Sequence, residues 1–147
     1  MIIDNSLVFS DTQAITVTAS STNVLDMGDT GTTAYNKQKL GQHLGRAMCV
    51  PLLCQVSADF ATLTSLTIQL RQSASSNMAS PTVLIEQTVP VAKLKRGFKF
   101  NLDKLPAEIT QRYVDLNYVV TGTTATTGSM YAAIVSAVED VYPGPGH

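Results

Sequence analysis

Leu66-Thr67-Ile68-Gln69-Leu70-Arg71 alternates apolar and polar side chains without a break. That period of two is what a pleated strand shows when one face meets a core and the other meets water. Phe98-Lys99-Phe100-Asn101-Leu102 repeats the pattern, and Tyr113-Val114-Asp115-Leu116-Asn117-Tyr118-Val119-Val120 extends it, with Val114, Leu116, Tyr118 and Val120 expected inward. The run Tyr131–Val138 reads as a more fully buried strand, and Leu7–Ser10, Ala14–Ala19, Ala47–Val56 and Thr82–Thr88 are further candidates. Turn residues punctuate them at Ser73–Ser80, Lys95-Arg96-Gly97, Leu105-Pro106 and Thr121–Gly128. No stretch of ten residues keeps a helical apolar stripe, and only Pro106–Gln111 suggests a single helical turn. The expectation is an all-β domain of about eight antiparallel strands, for which a jelly-roll sandwich is the eight-stranded solution.

One stretch breaks this rhythm. From Asp26 to Arg46 the chain has four glycines, many polar residues and no period. A loop of that length inside a compact domain is usually functional, so it is expected to act as a contact arm that orders against a partner. Residues 143–147, Pro-Gly-Pro-Gly-His, are expected to form a frayed tail.

The 147 residues fall within the range of one domain, 1–147, and 44% of them are apolar. That fraction, with a net charge of −1, excludes a disordered chain. Charged residues make up only 14%, against about a quarter in an average soluble domain, with Ser and Thr in their place. A near-neutral balance and the absence of Trp argue against a nucleic-acid binder, which carries a basic stripe and stacking aromatics. No apolar run reaches membrane-spanning length, and Met1–Ser6 lacks the basic start of a signal peptide, so a cytosolic origin is expected. Cys49 and Cys54 would lie about 16 Å apart in an extended segment, too far for a disulfide, and are read as buried reduced thiols.

Reactive chemistry is hard to assemble from these residues. The two histidines are His43, inside the loop, and His147, in the tail. His43 with Cys49 and Cys54 lacks both the fourth ligand and the tight Cys-x-x-Cys spacing of a zinc site. The eleven carboxylates are scattered, and the loop glycines neither follow a strand nor open a helix as a phosphate cradle does. The expectation is a protein without catalytic, metal-binding or cofactor-binding residues. Charge placement says more: residues 1–36 hold no Lys or Arg, whereas Lys93, Lys95, Arg96, Lys99 and Lys104 put half of the ten basic residues within twelve positions. Such a run is either a solvated turn edge, which also guards against strand-to-strand aggregation, or a patch facing an acidic protein surface.

Arg112–Gly122 followed by a Thr-rich turn, Gly128 and the Ala-rich Tyr131–Ala137, together with Ser80–Leu84 and Leu7–Ala14, resembles the jelly-roll capsid cement proteins of tailed bacteriophages. The Asp26–Arg46 insertion departs from that pattern. The resemblance implies a structural virion protein that binds the outside of an assembled head and clamps neighbouring major capsid proteins, as a dimer or trimer at capsid symmetry axes, without cofactor, nucleic acid or membrane. It implies assembly in the host cytoplasm and residence on the capsid exterior. Tyr35, Lys37, Lys39 and His43 in the loop and Lys93, Lys95, Arg96 and Lys99 in the basic run are the candidate capsid contacts. The competing reading is a jelly-roll carbohydrate-binding or lectin-like module, for which exposed tyrosines among Tyr113, Tyr118 and Tyr131 would have to form the sugar platform.

Overall fold

The computed structural model describes residues 7–27, 51–102, 106 and 109–135. Among them are six antiparallel strands: β1 (Val8–Ala14), β2 (Ala19–Ser20), β3 (Leu25–Asp26), β4 (Leu52–Ser73), β5 (Thr82–Pro90) and β6 (Tyr113–Ile134). They form one sheet in the order β1-β6-β4-β5, with β2 and β3 also paired to β6. A 3-10 turn, Val91–Lys93, follows β5.

The strand count is six rather than about eight because β4 and β6 each continue through a segment where the sequence suggests a break. Both are 22 residues long and pair end to end, Leu52 opposite Ile134 and Ser73 opposite Tyr113. Thr121–Gly128 is therefore not a turn between strands but an irregular middle of β6. There the ladder shifts register four times between Val56 and Ser65, then resumes the alignment it began with. Between Ala61↔Thr127 and Leu63↔Gly122, five steps along β6 face two along β4, so β6 bulges outward.

Side-chain parity records these extra residues. Leu52, Cys54 and Val56 face inward, then Phe60 and Leu63, then Leu66, Ile68 and Leu70. On β6 the inward set is Val114, Leu116 and Tyr118, then Ala125, then Met130, Ala132 and Ile134. All belong to one core cluster, which means that the sheet folds over at the bulges and its two halves close on each other. The hydroxyl pair of Ser10 and Tyr118, 2.8 Å apart and buried, spans the gap, for Ser10 is paired to Ala132 at the far end of the same strand that carries Tyr118.

The two outer strips follow the same bend. Residues 8–27 run antiparallel to β6 from Val8↔Ala133 to Leu25↔Val114 and the Met27 N–H bond to the Arg112 carbonyl, 2.9 Å. Residues 82–100 run antiparallel to β4: β5 pairs with Ser65–Gln72, and beyond the 3-10 turn Leu94–Phe100 follows the first half of β4. The expected strand Phe98–Leu102 is reduced to one bridge, Gln55↔Lys99, flanked by Val56 N–H to Phe98 and Phe100 N–H to Cys54, both 2.9 Å. Ala14–Ala19 is likewise not one strand: β1 ends at Ala14, and the chain bends through Thr16–Thr18 before β2. Ile109 and Thr110 are irregular and take no part in the suggested helical turn. Pro81 and Pro90 bracket β5, the edge strand, where prolines are tolerated because the outer N–H groups need no ladder partner.

The expected core residues Leu66, Ile68, Leu70, Phe100, Leu116, Tyr118 and Ile134 are buried together, with Phe98 packed against them edge-to-face on Phe100 at 5.4 Å. Cys54 is buried and free, as the sequence suggests, while Cys49 lies outside the described residues. On the outer face Asp115 is wholly buried in a bidentate pair with Arg71, at 2.6 and 2.9 Å, and the guanidinium also donates to Ser20 at 2.9 Å.

Three measurements follow from this packing. Leu116→Ala should lose about 2–5 kcal/mol of unfolding free energy, because the lining of a core closed from two sides cannot collapse into the cavity. Gly128 has φ +139°, and a Cβ there would overlap the Phe60 ring, so Gly128→Ala should cost more than about 2 kcal/mol in the same denaturant titration. Burial also pushes the Cys54 thiol from its ordinary 9.0 up to about 12 and, with the neighbouring Cys54, raises the Tyr118 hydroxyl well above its usual range. The unfolded chain releases these protons at lower pH than the native one. Stability should therefore be complete below about pH 9 and fall as pH rises toward about 12, read from urea midpoints, with a smaller fall for Cys54→Ala.

Candidate functional site

The basic run lies where the chain leaves edge strand β5 and continues in the same direction along the first half of β4. Val91–Lys93 forms the 3-10 turn, Leu94 plugs the core with no exposure, and the Lys95–Phe98 turn is closed by the Phe98 N–H bond to the Lys95 carbonyl, 2.9 Å. Gly97 takes φ +92°, which only glycine adopts without strain, and its N–H bonds the Val56 carbonyl at 2.9 Å. Leu94 and Phe100 anchor the corner from inside, so Lys93, Lys95 and Arg96 are left exposed and Lys99 half-buried.

Asp59 at the β4 bulge organises this corner. Its carboxylate accepts the Arg96 backbone N–H at 2.7 Å and lies 3.8 Å from Lys95 Nζ. Both side chains of that ion pair are more than half exposed, so it is solvent-screened and contributes little to stability. With Asp59 engaged this way, the side chains of Lys93 and Arg96 have no ion-pair partner among the described residues. The structure thus brings Lys93, Lys95, Arg96 and Lys99 to one corner. Of the expected arm Asp26–Arg46, Asp26 instead ends β3 and the Met27 N–H bonds the Arg112 carbonyl, so these two residues belong to the sheet. Tyr35, Lys37, Lys39 and His43, with the rest of the arm, 28–46, lie outside the described residues, as do Lys104 and the tail.

Beside the corner, on the outer face, is an open cleft of about 340 Å³ that the sequence does not reveal. It crosses the sheet from Thr12 on β1, past Tyr131 on β6 and Gln55 and Ser57 on β4, to Arg96 and Gly97. Tyr131 and Gln55 are direct register partners, and the Ser57 and Ser129 hydroxyls are 2.7 Å apart. Thr12 sits at a bulge where three steps of β1 face two of β6, with φ +47°, a costly conformation for a β-branched residue. Partial burial and the nearby Asp11 raise the Tyr131 hydroxyl, which keeps its proton as a donor at neutral pH. The signal in sequence is parity: inward Met130 and Ala132 place Tyr131 on the outside.

The other tyrosines separate clearly. Tyr118 is fully buried and unavailable to a ligand, and Tyr113 lies under Arg112, whose guanidinium is 5.1 Å from the ring centre and pairs with Asp26 at 2.7 and 2.9 Å. Among the described residues no three His, Cys, Asp or Glu side chains gather as metal ligands would, and no helix is long and apolar enough to cross a membrane.

Comparison with known proteins bears on this arrangement at the level of family. No curated protein matches the chain. Residues 9–134 match the family described as Bbp16, a stretch that begins in β1, ends with β6 and takes in both the corner and the cleft. The match covers well over half of the 147 residues, and the chain belongs to the Bbp16 family.

Proposed function

We propose that this protein is a capsid cement protein of a tailed phage: a structural virion component that binds the outer surface of an assembled head and clamps neighbouring major capsid proteins. The observation that carries the reading is the basic corner, where Lys93 and Arg96 are exposed without an ion-pair partner among the described residues, on a turn pinned to the core by Leu94 and Phe100. Charges carried on a turn whose backbone is already fixed suit docking to an acidic protein surface, because little backbone freedom is lost on contact. The resemblance of the sequence to jelly-roll cement proteins supports it. So does the strand order. One half of the folded sheet runs β1, the end of β6, the start of β4, then residues 94–100; the other runs β2–β3, the start of β6, the end of β4, then β5. Two four-stranded layers connected in this order make a jelly roll, and we propose that name for the fold.

In this role the protein needs no catalytic group or cofactor, and it engages neither nucleic acid nor membrane. A copy that bridges two capsid subunits gains effective concentration for its second contact, so modest single contacts suffice, and pairing of copies as dimers or trimers at symmetry axes multiplies the gain. The capsid exterior is then its place in the virion.

The test is association with cement-free heads. Lys93→Glu with Lys95→Glu should leave thermal stability within about 0.5 kcal/mol, as for other surface changes. The same double variant should slow association severalfold at low salt and flatten its salt dependence, since exposed charges act over about 10 Å at 0.1 M ionic strength. Association that ignores both the reversal and the salt would remove the corner from docking. A chain that leaves heads bare but binds a glycan array would replace this reading with the carbohydrate-binding one.

A further inference from the structure

The cleft next to the corner differs from it chemically. The corner offers solvated ammonium groups, which attract at a distance. The cleft, about 340 Å³ and open, is lined by Arg96 together with neutral side chains that can hydrogen-bond, Thr12, Gln55, Ser57 and Tyr131. Arg96 presents a planar fork of N–H groups, matched to a carboxylate in a way that an ammonium is not. Tyr131 supplies a phenol that stays protonated, and Gln55, its register partner, supplies an amide. Ser57 and Ser129 share one hydrogen bond between two hydroxyls, which leaves one of the two protons free to donate.

Resting on the capsid-binding reading, we propose that this cleft seats a single Asp or Glu side chain from the surface of the major capsid protein, with Arg96 as the charged anchor and Tyr131, Gln55 and Ser57 as the orienting donors. Two acids act on residues of the cleft wall without lining it themselves. Asp59 is committed to the Arg96 backbone N–H and to Lys95, so it shapes the turn and leaves the Arg96 guanidinium to the guest. Asp11, beside Tyr131, makes the opposite end negative. Asp11 repels any guest anion, a dianion such as a phosphate group about twice as strongly as a carboxylate, so the carboxylate sits toward the Arg96 end. Gly97 lines the cleft at the Arg96 end. A side chain there would adopt a strained φ, and its Cβ would stand 4.0 Å from Gln55 Nε2 at the cleft wall. Thr12, held at φ +47° by the β1 bulge, fixes the far wall.

Arg96→Lys separates this contact from simple charge attraction, because it keeps the charge and removes the fork. Measured on cement-free heads, Arg96→Lys should associate at the wild-type rate and dissociate about tenfold faster, since the loss falls on the docked state. Tyr131→Phe, which keeps the ring and removes one donor, should dissociate about threefold to tenfold faster, the loss of one hydrogen bond. Both variants should retain the wild-type thermal midpoint. Dissociation of Arg96→Lys at the wild-type rate overturns the cleft inference and leaves the capsid-binding reading intact. Wild-type protein that does not bind heads at all overturns both.

Discussion

Everything in this fold depends on the pairing of β4 with β6 across the irregular stretch at their middles. Two straight 22-residue strands would make a ribbon far too long to enclose a core, at roughly 3.3 Å per residue. The bulges solve this by inserting equal numbers of extra residues in both strands, so that the ribbon bends and the original alignment returns. Thr62 holds the bend. It adopts φ +75°, and its hydroxyl lies 2.7 Å from the Thr124 carbonyl and accepts the Thr126 N–H at 3.1 Å, while Thr123 donates to its carbonyl. A β-branched residue in that conformation is strained and persists only because the opposing strand overdetermines it. Once the bend is fixed, the outer strips have one path each, and the two halves of the core must meet.

Closure then relies on a small polar network as much as on apolar burial. The Gln13 amide donates to the Ser20 carbonyl and accepts from Thr22 N–H and the Ser10 hydroxyl, while Asn23 bonds the carbonyls of Val8 and Phe9. These contacts tie the beginning of the first strip to its own end, sealing the side of the fold where β1 would otherwise be a bare edge. The Ser10–Tyr118 hydroxyl pair is the inner member of the set, and its satisfaction is what allows a tyrosine to sit at the centre of the core.

Much of this was readable in the residues. Leu66–Arg71 and Tyr113–Val120 alternate as they do because they are the regular halves of β4 and β6, and the Leu66, Ile68, Leu70, Val114, Leu116 and Tyr118 faces were assignable from period alone. The bend was not, since Thr-Gly-rich Thr121–Gly128 has the composition of a turn whether the chain reverses or bulges. A trace existed in the spacing of Val56, Phe60, Leu63 and Leu66, which fits no single period. The Lys93–Lys99 cluster is local and therefore visible in sequence, but its organiser Asp59 comes from another strand. The cleft gathers residues from β1, β4, β6 and a turn, and the Arg71–Asp115 pair joins positions 44 apart. Pairings of that range are set by topology, which period does not encode.

The place of β6 in the chain has a kinetic consequence. It is the central partner of β1, β2, β3 and β4, yet it follows them all in sequence. Contacts between distant segments form slowly, because loop closure must precede the interactions that reward it. During synthesis β1, β2 and β3 emerge before β6, the strand they all pair with, and β4 emerges with only β5 of its two strand partners. Neither layer of the core can close, and the cleft cannot exist, since Tyr131 is one of its walls and arrives with the final strand. Any surface that needs that cleft is therefore absent from the nascent chain and is completed in the same step as the fold itself.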